Sequence, residues 1–182
     1  KVGKYTIRCW RTSGHGTQSF YKAIQNSCNP AFIEVGQSVG GDAFYQYFHQ
    51  FGLTERTGID TIGETTGIFF SKEKFNITEL SVSSFGQTFK VTPIQMITAA
   101  CGLFNDGVML KPHLVKGFTD DEGHIRETVE PEAIRQVISK ESSEEICKML
   151  ESVVSQGTGK NAYVAGYRVG GKTGTSEKRD VT

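Results

Sequence analysis

Ile146, Met149, Leu150, Val153 and Val154 recur at the spacing of one helical face, and the pattern stops at Gly157. A helix of this kind must bury its apolar stripe, so the rest of the chain has to supply a surface against it. Ser142 and Glu145 stand where a capping box would open the helix. The stretch "YVAGYRVGGKTGT" follows directly, and it predicts a return along a strand.

Upstream, shorter elements dominate. "FYKAIQ" predicts a short helix. Asn29 before Pro30 predicts a cap and a first helical position, with Phe32, Ile33, Val35 and Val39 on the apolar face. Asp42 is placed to cap a third helix, in which Phe44, Tyr47, Phe48 and Phe51 form an aromatic stripe suited to a core. Leu53 to Leu80 is rich in Thr, Gly and Ser with weak periodicity and predicts irregular chain. Thr92-Pro93 opens a helix with Ile94, Ile97, Ala100 and a buried Cys101 on one face, closed by Asn105-Asp106-Gly107. A β-hairpin is expected around Asp121-Glu122-Gly123, and the first residues show some β-like alternation. Sheet content should be low.

The 182 residues suffice for one domain with a core. Lys plus Arg total 20 and Asp plus Glu total 20, which argues against nucleic acid or an anionic membrane surface as the main partner. No apolar run reaches transmembrane length, and no signal pattern opens the chain. The chain begins and ends abruptly and reads as a piece of something longer. Cys9, Cys28, Cys101 and Cys147 form no C-x-x-C, and His15, His49, His113 and His124 lie at no metal-ligand spacing. No metal site is expected, and the histidines read as surface or capping residues.

Three short patterns carry chemistry. Gly166 to Thr173 satisfies the P-loop spacing G-x-x-x-x-G-K-T, but Gly174 follows at once and no apolar helix can form behind it. The same Lys172 belongs to Lys172-Thr173-Gly174-Thr175. On a strand, Lys172 and Gly174 share one face, where glycine admits a substrate backbone and the ammonium attracts a carboxylate or polarises a hydroxyl. The plainer alternative is an ordinary lysine at a surface strand end. Ser27-Cys28-Asn29 offers a hydroxyl for proton relay and an amide for a peptide group, or equally a plain helix cap.

"QNSCNPAFIEVG", "FGQTFKVTPIQM" and "LESVVSQGTGKNAYVAGYRVGGKTGTSEK", in this order, resemble the transpeptidase domain of class B penicillin-binding proteins, in the sporulation branch of clostridia and bacilli. The resemblance runs from Ile7 to Lys178. It implies an α/β (α+β) penicillin-binding protein and serine β-lactamase-like fold, an antiparallel sheet flanked by helices, incomplete in this chain. It implies a peptidoglycan D,D-transpeptidase that needs no cofactor. Its partners would be D-Ala-D-Ala stem peptides, β-lactam antibiotics and a cell-wall glycosyltransferase, with the parent anchored in the membrane and this domain on its extracytoplasmic face. Ser27 and Asn29 would form the second motif, and Lys172, Thr173 and Gly174 the third. Thr175 would hold the substrate carboxylate and supply half of the oxyanion hole.

The family's nucleophile lies in a Ser-x-x-Lys well before the second motif. Here Ser19-Phe-Tyr-Lys22 precedes Ser27 with no room for the intervening helices, so Ser19 reads as a helix cap and Lys22 as a solvated side chain. The nucleophile is then expected upstream of Lys1, and this chain alone should not acylate. Penicillin sensing without turnover is the alternative within the same fold. Cys28 sits inside the second motif, and a bridge from Cys9 would shift Ser27 and Asn29. A redox pair and two unpaired, packed thiols are both open readings.

Overall fold

The computed structural model describes residues 2–3 and 6–175. In chain order they form α1 (Phe20–Gln25), α2 (Asn29–Val39), α3 (Gly41–Gln50), a 3-10 turn (Lys72–Lys74), α4 (Ile77–Ser83) and α5 (Pro93–Phe104). Then come β1 (Val108–Leu110), β2 (Gly117–Thr119), β3 (Ile125–Thr128), β4 (Ala133–Gln136), α6 (Lys140–Gln156) and a second 3-10 turn (Lys160–Ala162). The chain divides into two compact units, one of Lys1–Tyr45, Phe70–Phe89 and Glu145–Thr182, the other of Gln46–Phe69 and Lys90–Glu144. No described helix is long and apolar enough to cross a membrane.

In the first unit, the Ser19 hydroxyl accepts from the Lys22 N–H at 3.3 Å and caps α1, as its sequence predicts. Asn29 does not cap α2. Cys28 takes the extended cap position without a side-chain bond, and Asn29 is already helical. Asp42 is not a cap either. Gly40, at φ 87°, provides the carbonyl that accepts from Phe44 N–H at 3.1 Å, and Asp42 sits in the first turn of α3, paired to Lys72 at 3.3 Å. The Leu53–Leu80 stretch is less irregular than expected. Asn76 accepts from Thr78 N–H at 2.8 Å and starts α4 inside it. Phe75 gathers Phe44, Tyr45 and Phe70, at ring centroid distances of 5.8, 5.7 and 6.3 Å.

Helices α2 and α4 touch through Gly36. A Cβ there would stand 1.8 Å from Ser84 Oγ and 2.7 Å from Ser84 Cβ. Beside it, Gln37 donates to Ser81 Oγ at 2.9 Å, and Ser81 donates to the Ile77 carbonyl at 2.6 Å. Ile33, Leu80 and Ser81 are buried at this contact, and Val153 and Val154 of α6 are buried in the same unit. Glu145 takes the Tyr21 hydroxyl and makes no capping box with Ser142.

In the second unit, α5 carries the full capping box at Thr92 and Gln95. Gln95 is fully buried. Its Oε1 accepts from Thr92 N–H (2.9 Å) and Gly67 N–H (3.2 Å), and its Nε2 donates to the Glu55 carbonyl at 2.7 Å. The buried face of α5 is Gln95, Thr98, Ala99 and Gly102, while Ile97 and Cys101 are exposed, against expectation. Gly102 fixes that choice: the helix approaches β1 so closely that a Cβ would meet Met109 Cγ at 2.7 Å. Strand β1 pairs antiparallel with β4, and β2 with β3 around the predicted hairpin turn. Ser139, not Ser142, opens α6, accepting from Ser142 N–H at 3.2 Å. Among the described residues the initial stretch forms no strand, with Lys1, Lys4 and Tyr5 outside them.

Gly36→Ala sets two effects against each other. Helix propensity favours alanine by about 1 kcal/mol. Overpacking against Ser84 costs about 1–3 kcal/mol. The clash wins, so urea unfolding should show a lower midpoint with an unchanged slope.

Candidate functional site

The site begins with how α1 ends. Ser27 N–H donates to the Ile24 carbonyl and Cys28 N–H to the Ala23 carbonyl, both at 3.1 Å. This pair is a Schellman closure, and its left-handed position normally belongs to glycine. Ser27 occupies it at φ 49°. The turn aims the Ser27 hydroxyl outward and sets Cys28 and Asn29 at the start of α2.

The other half comes from the chain behind α6. Gly157 N–H and Gly159 N–H both donate to the Val153 carbonyl at 3.0 Å and end the helix as predicted. A side chain at Gly157 would meet the Gln25 carbonyl at 2.6 Å. That closeness lets Thr158 N–H donate to the same carbonyl at 3.0 Å, tying the loop to the end of α1. The segment then folds back over α6. Arg168 grips Glu151 through Nε and a terminal nitrogen, the shortest contact 2.7 Å, and holds its carboxyl below the usual range. Gly171 N–H donates to the Leu150 carbonyl at 3.2 Å. The expected strand is therefore absent among the described residues: the backbone bonds of this stretch go to a helix and no neighbouring strand accompanies it.

Lys172 reaches across to Ser27. Its ammonium donates to Ser27 Oγ at 2.7 Å and to the Thr173 carbonyl at 3.0 Å, with Thr173 Oγ1 at 3.4 Å. Much of the side chain is open to solvent, but the ammonium end is shielded by these groups, and that loss of water pushes its pKa down. A lysine poised this way can orient a hydroxyl and exchange a proton with it. The same contact disposes of a P-loop. Lys172 is turned to a serine, and Gly174 and Thr175 are not helical. Positions from Ser176 on lie outside the described residues.

Thr173 Oγ1 lies 3.2 Å from Thr158 Oγ1, and Gln87 donates to the Thr175 carbonyl at 3.4 Å. Sequence reasoning assigned no role to Thr158 or Gln87. The signal for Thr158 was its place between two glycines behind a helix stop. Asn29 is half-buried in the first turn of α2, next to Cys28. Gly174 has no atom within 4 Å of where a Cβ would stand, so its face is open.

Cys9 and Cys28 come together, both as free thiols. Burial, then the proximity of Cys28, pushes the Cys9 thiol up. His15 is not a lone surface residue: its Nδ1 lies 3.1 Å from Cys9 Sγ, and its ring meets Trp10 edge-on.

Comparison with known proteins gives one answer. The family model described as the penicillin binding protein transpeptidase domain matches residues 1–182. Stage V sporulation protein D of Bacillus subtilis (strain 168) is 45% identical over 175 residues, covering 94% of this chain and 27% of that protein. The chain spans less than a third of the curated relatives it matches. Among solved structures, the D,D-transpeptidase domain of a peptidoglycan glycosyltransferase from Eggerthella lenta superposes with a TM-score of 0.85 at 25% identity, over 99% of this chain and 47% of that one. Penicillin binding protein 3 of Mycobacterium tuberculosis, complexed with aztreonam, gives 0.80 at 29% identity, over 88% of this chain and 37% of that one.

Two measurements follow from the turn at Ser27. Ser27→Gly relieves a left-handed serine, whereas Ser27→Ala keeps the strain and only loses the hydroxyl. The glycine variant should be the more stable of the two by about 1 kcal/mol in urea. In a side-chain NMR titration, Lys172 should deprotonate below the exposed lysines. Folding disfavours its charged form, so its contribution to stability should rise with pH from that lowered midpoint toward the ordinary lysine value.

Proposed function

The chain belongs to the penicillin-binding protein transpeptidase domain family, and from that premise we propose that it carries the second and third motifs of a serine D,D-transpeptidase active site. The observation that supports this most is the Lys172 ammonium on the Ser27 hydroxyl at 2.7 Å, from opposite ends of the chain.

The nucleophile is the serine of a Ser-x-x-Lys outside this chain. It attacks the carbonyl of a D-Ala-D-Ala bond, the terminal D-Ala leaves as its amine, and an amine of a second stem peptide resolves the acyl-enzyme. Ser27 passes a proton toward the departing amine, and Lys172 holds its hydroxyl in line. Asn29 binds the donor peptide through its amide. Thr173 and Gly174 flank the substrate, which the open face of Gly174 admits. The Thr175 hydroxyl takes the substrate carboxylate, and its N–H supplies half of the oxyanion hole, a contribution of about 3 kcal/mol for an aligned donor. Acyl transfer by a serine needs no cofactor.

β-Lactams acylate the same serine. The parent is anchored in the membrane, works on its extracytoplasmic face beside a glycosyltransferase, and crosslinks peptidoglycan of the wall or the spore cortex. Cys9 and Cys28 act as a redox pair: their oxidation to a disulfide, with two electrons and two protons passing to a disulfide oxidant, would move Ser27 and Asn29.

Intact mass after benzylpenicillin tests the assignment, on this chain and on the protein extended to include the Ser-x-x-Lys. An adduct on the extended protein alone is the expected result, and Lys172→Met in that protein should slow its formation by roughly 100-fold or more. An adduct on neither protein would overturn the assignment, and one on Ser19 would relocate the nucleophile. Equal acylation rates before and after oxidation of the thiols would remove the redox pair.

A further inference from the structure

We propose that Cys9, His15 and Cys28 form a binding site for a thiophilic divalent cation of the zinc class, immediately beside Ser27 and Asn29. The two sulfurs and the imidazole nitrogen all lie within 4.8 Å of one another, with Cys9 Sγ and His15 Nδ1 at 3.1 Å. A tetrahedral zinc with such ligands needs donor separations of about 3.5–3.8 Å, which small side-chain rotations reach. Two sulfurs and one imidazole favour zinc over magnesium or calcium, which take oxygen ligands.

The donors are held by the fold. His15 stands between Gly14 and Gly16, at φ 71° and 63°, in a turn closed by Gly14 N–H donating to the Arg11 carbonyl at 2.9 Å. Trp10 packs edge-on against the His15 ring at 5.5 Å, and its indole donates to the Asn26 carbonyl at 2.8 Å. That bond ties the histidine turn to the end of α1. Cys28 is buried and fixed by the Schellman closure. His15, Trp10, Asn26 and Thr158 line a hollow open to solvent, so the imidazole side of the donor set is reached from water.

Binding displaces two thiol protons to solvent, and the two thiolates cancel the charge of the ion. Three protein ligands leave a fourth position for water. An ion here staples the Cys9–His15 segment to the turn that carries Ser27. It also occupies the thiols a disulfide would need, so metal binding and oxidation exclude each other. A disulfide alone has no use for His15. The imidazole is what distinguishes this site.

Cobalt(II) is the probe, added to the reduced, metal-free full chain. Thiolate-to-cobalt charge transfer in the near ultraviolet, with intense visible bands of a tetrahedral site, is expected at one equivalent. Zinc should bleach these bands and protect two of the four thiols from alkylation by mass. His15→Ala and Cys9→Ser should each weaken cobalt binding at least about 10-fold. Cys101→Ser and Cys147→Ser should leave it unchanged, which separates ligand loss from general thiol chemistry, and circular dichroism checks each variant for folding. A spectrum without charge transfer, or one insensitive to His15→Ala in a folded variant, would overturn the site. Penicillin acylation plays no part in this readout, so it stands or fails independently of the transpeptidase assignment.

Discussion

The left-handed backbone at Ser27 is the constraint on which the candidate site depends. It lets α1 stop and α2 start within a few residues. Because the turn is closed by backbone bonds to Ala23 and Ile24, the serine hydroxyl is left free to meet Lys172. The preceding Gln25 carbonyl is free for the same reason and takes Thr158 N–H. Helix termination, loop docking and the polar contact are thus one arrangement seen from three residues. A glycine would satisfy the backbone better. The serine there supplies the hydroxyl that Lys172 meets.

Helix α6 supplies the platform for the other half. Of its apolar stripe, Val153 and Val154 are almost fully enclosed, and Ile146, Met149 and Leu150 are half-buried. Its exposed edge anchors the returning chain through Glu151 and the Leu150 carbonyl. Lys172 therefore inherits its position from a helix rather than from a sheet. The ammonium loses water among neighbouring polar groups, and no carboxylate among the described residues pairs with it, so its proton is loosened rather than tightened.

Much of this was legible in the sequence where local chemistry decides. Ser19 and Thr92 cap as read and Gly157 stops α6, while the Lys172–Ser27 contact joins two patterns that the sequence singled out separately. Errors arose elsewhere. Helix α6 opens three residues early at Ser139, so Ser142 is already helical and Glu145 is left to take the Tyr21 hydroxyl. Cys101 faces outward because Gly102 is the residue that touches Met109. His15 was invisible because the spacing from Cys9 and on to Cys28 matches no local ligand pattern. Only the fold across α1 brings the three together. The strand around Lys172 was expected as the return behind the long helix, yet strands exist only in pairs, and pairing is not written in one segment.

Gln95 shows which positions of such a chain are free to drift. Apart from the Thr92 hydroxyl of the capping box, it holds the residues around it through their main-chain atoms: the N–H of Thr92, the N–H of Gly67 and the carbonyl of Glu55. Main-chain atoms survive substitution. The identity at position 55 can therefore change without this node noticing, whereas Gln95 and its capping partner Thr92 act through their side chains. Gly67 is fixed for the opposite reason, since a Cβ there would sit 2.0 Å from the Lys90 carbonyl oxygen. In a large set of functional variants, this part of the molecule should thus display narrow positions at Gly67, Thr92 and Gln95 among variable ones, a profile set by which atoms make the bonds rather than by how deeply each residue is buried.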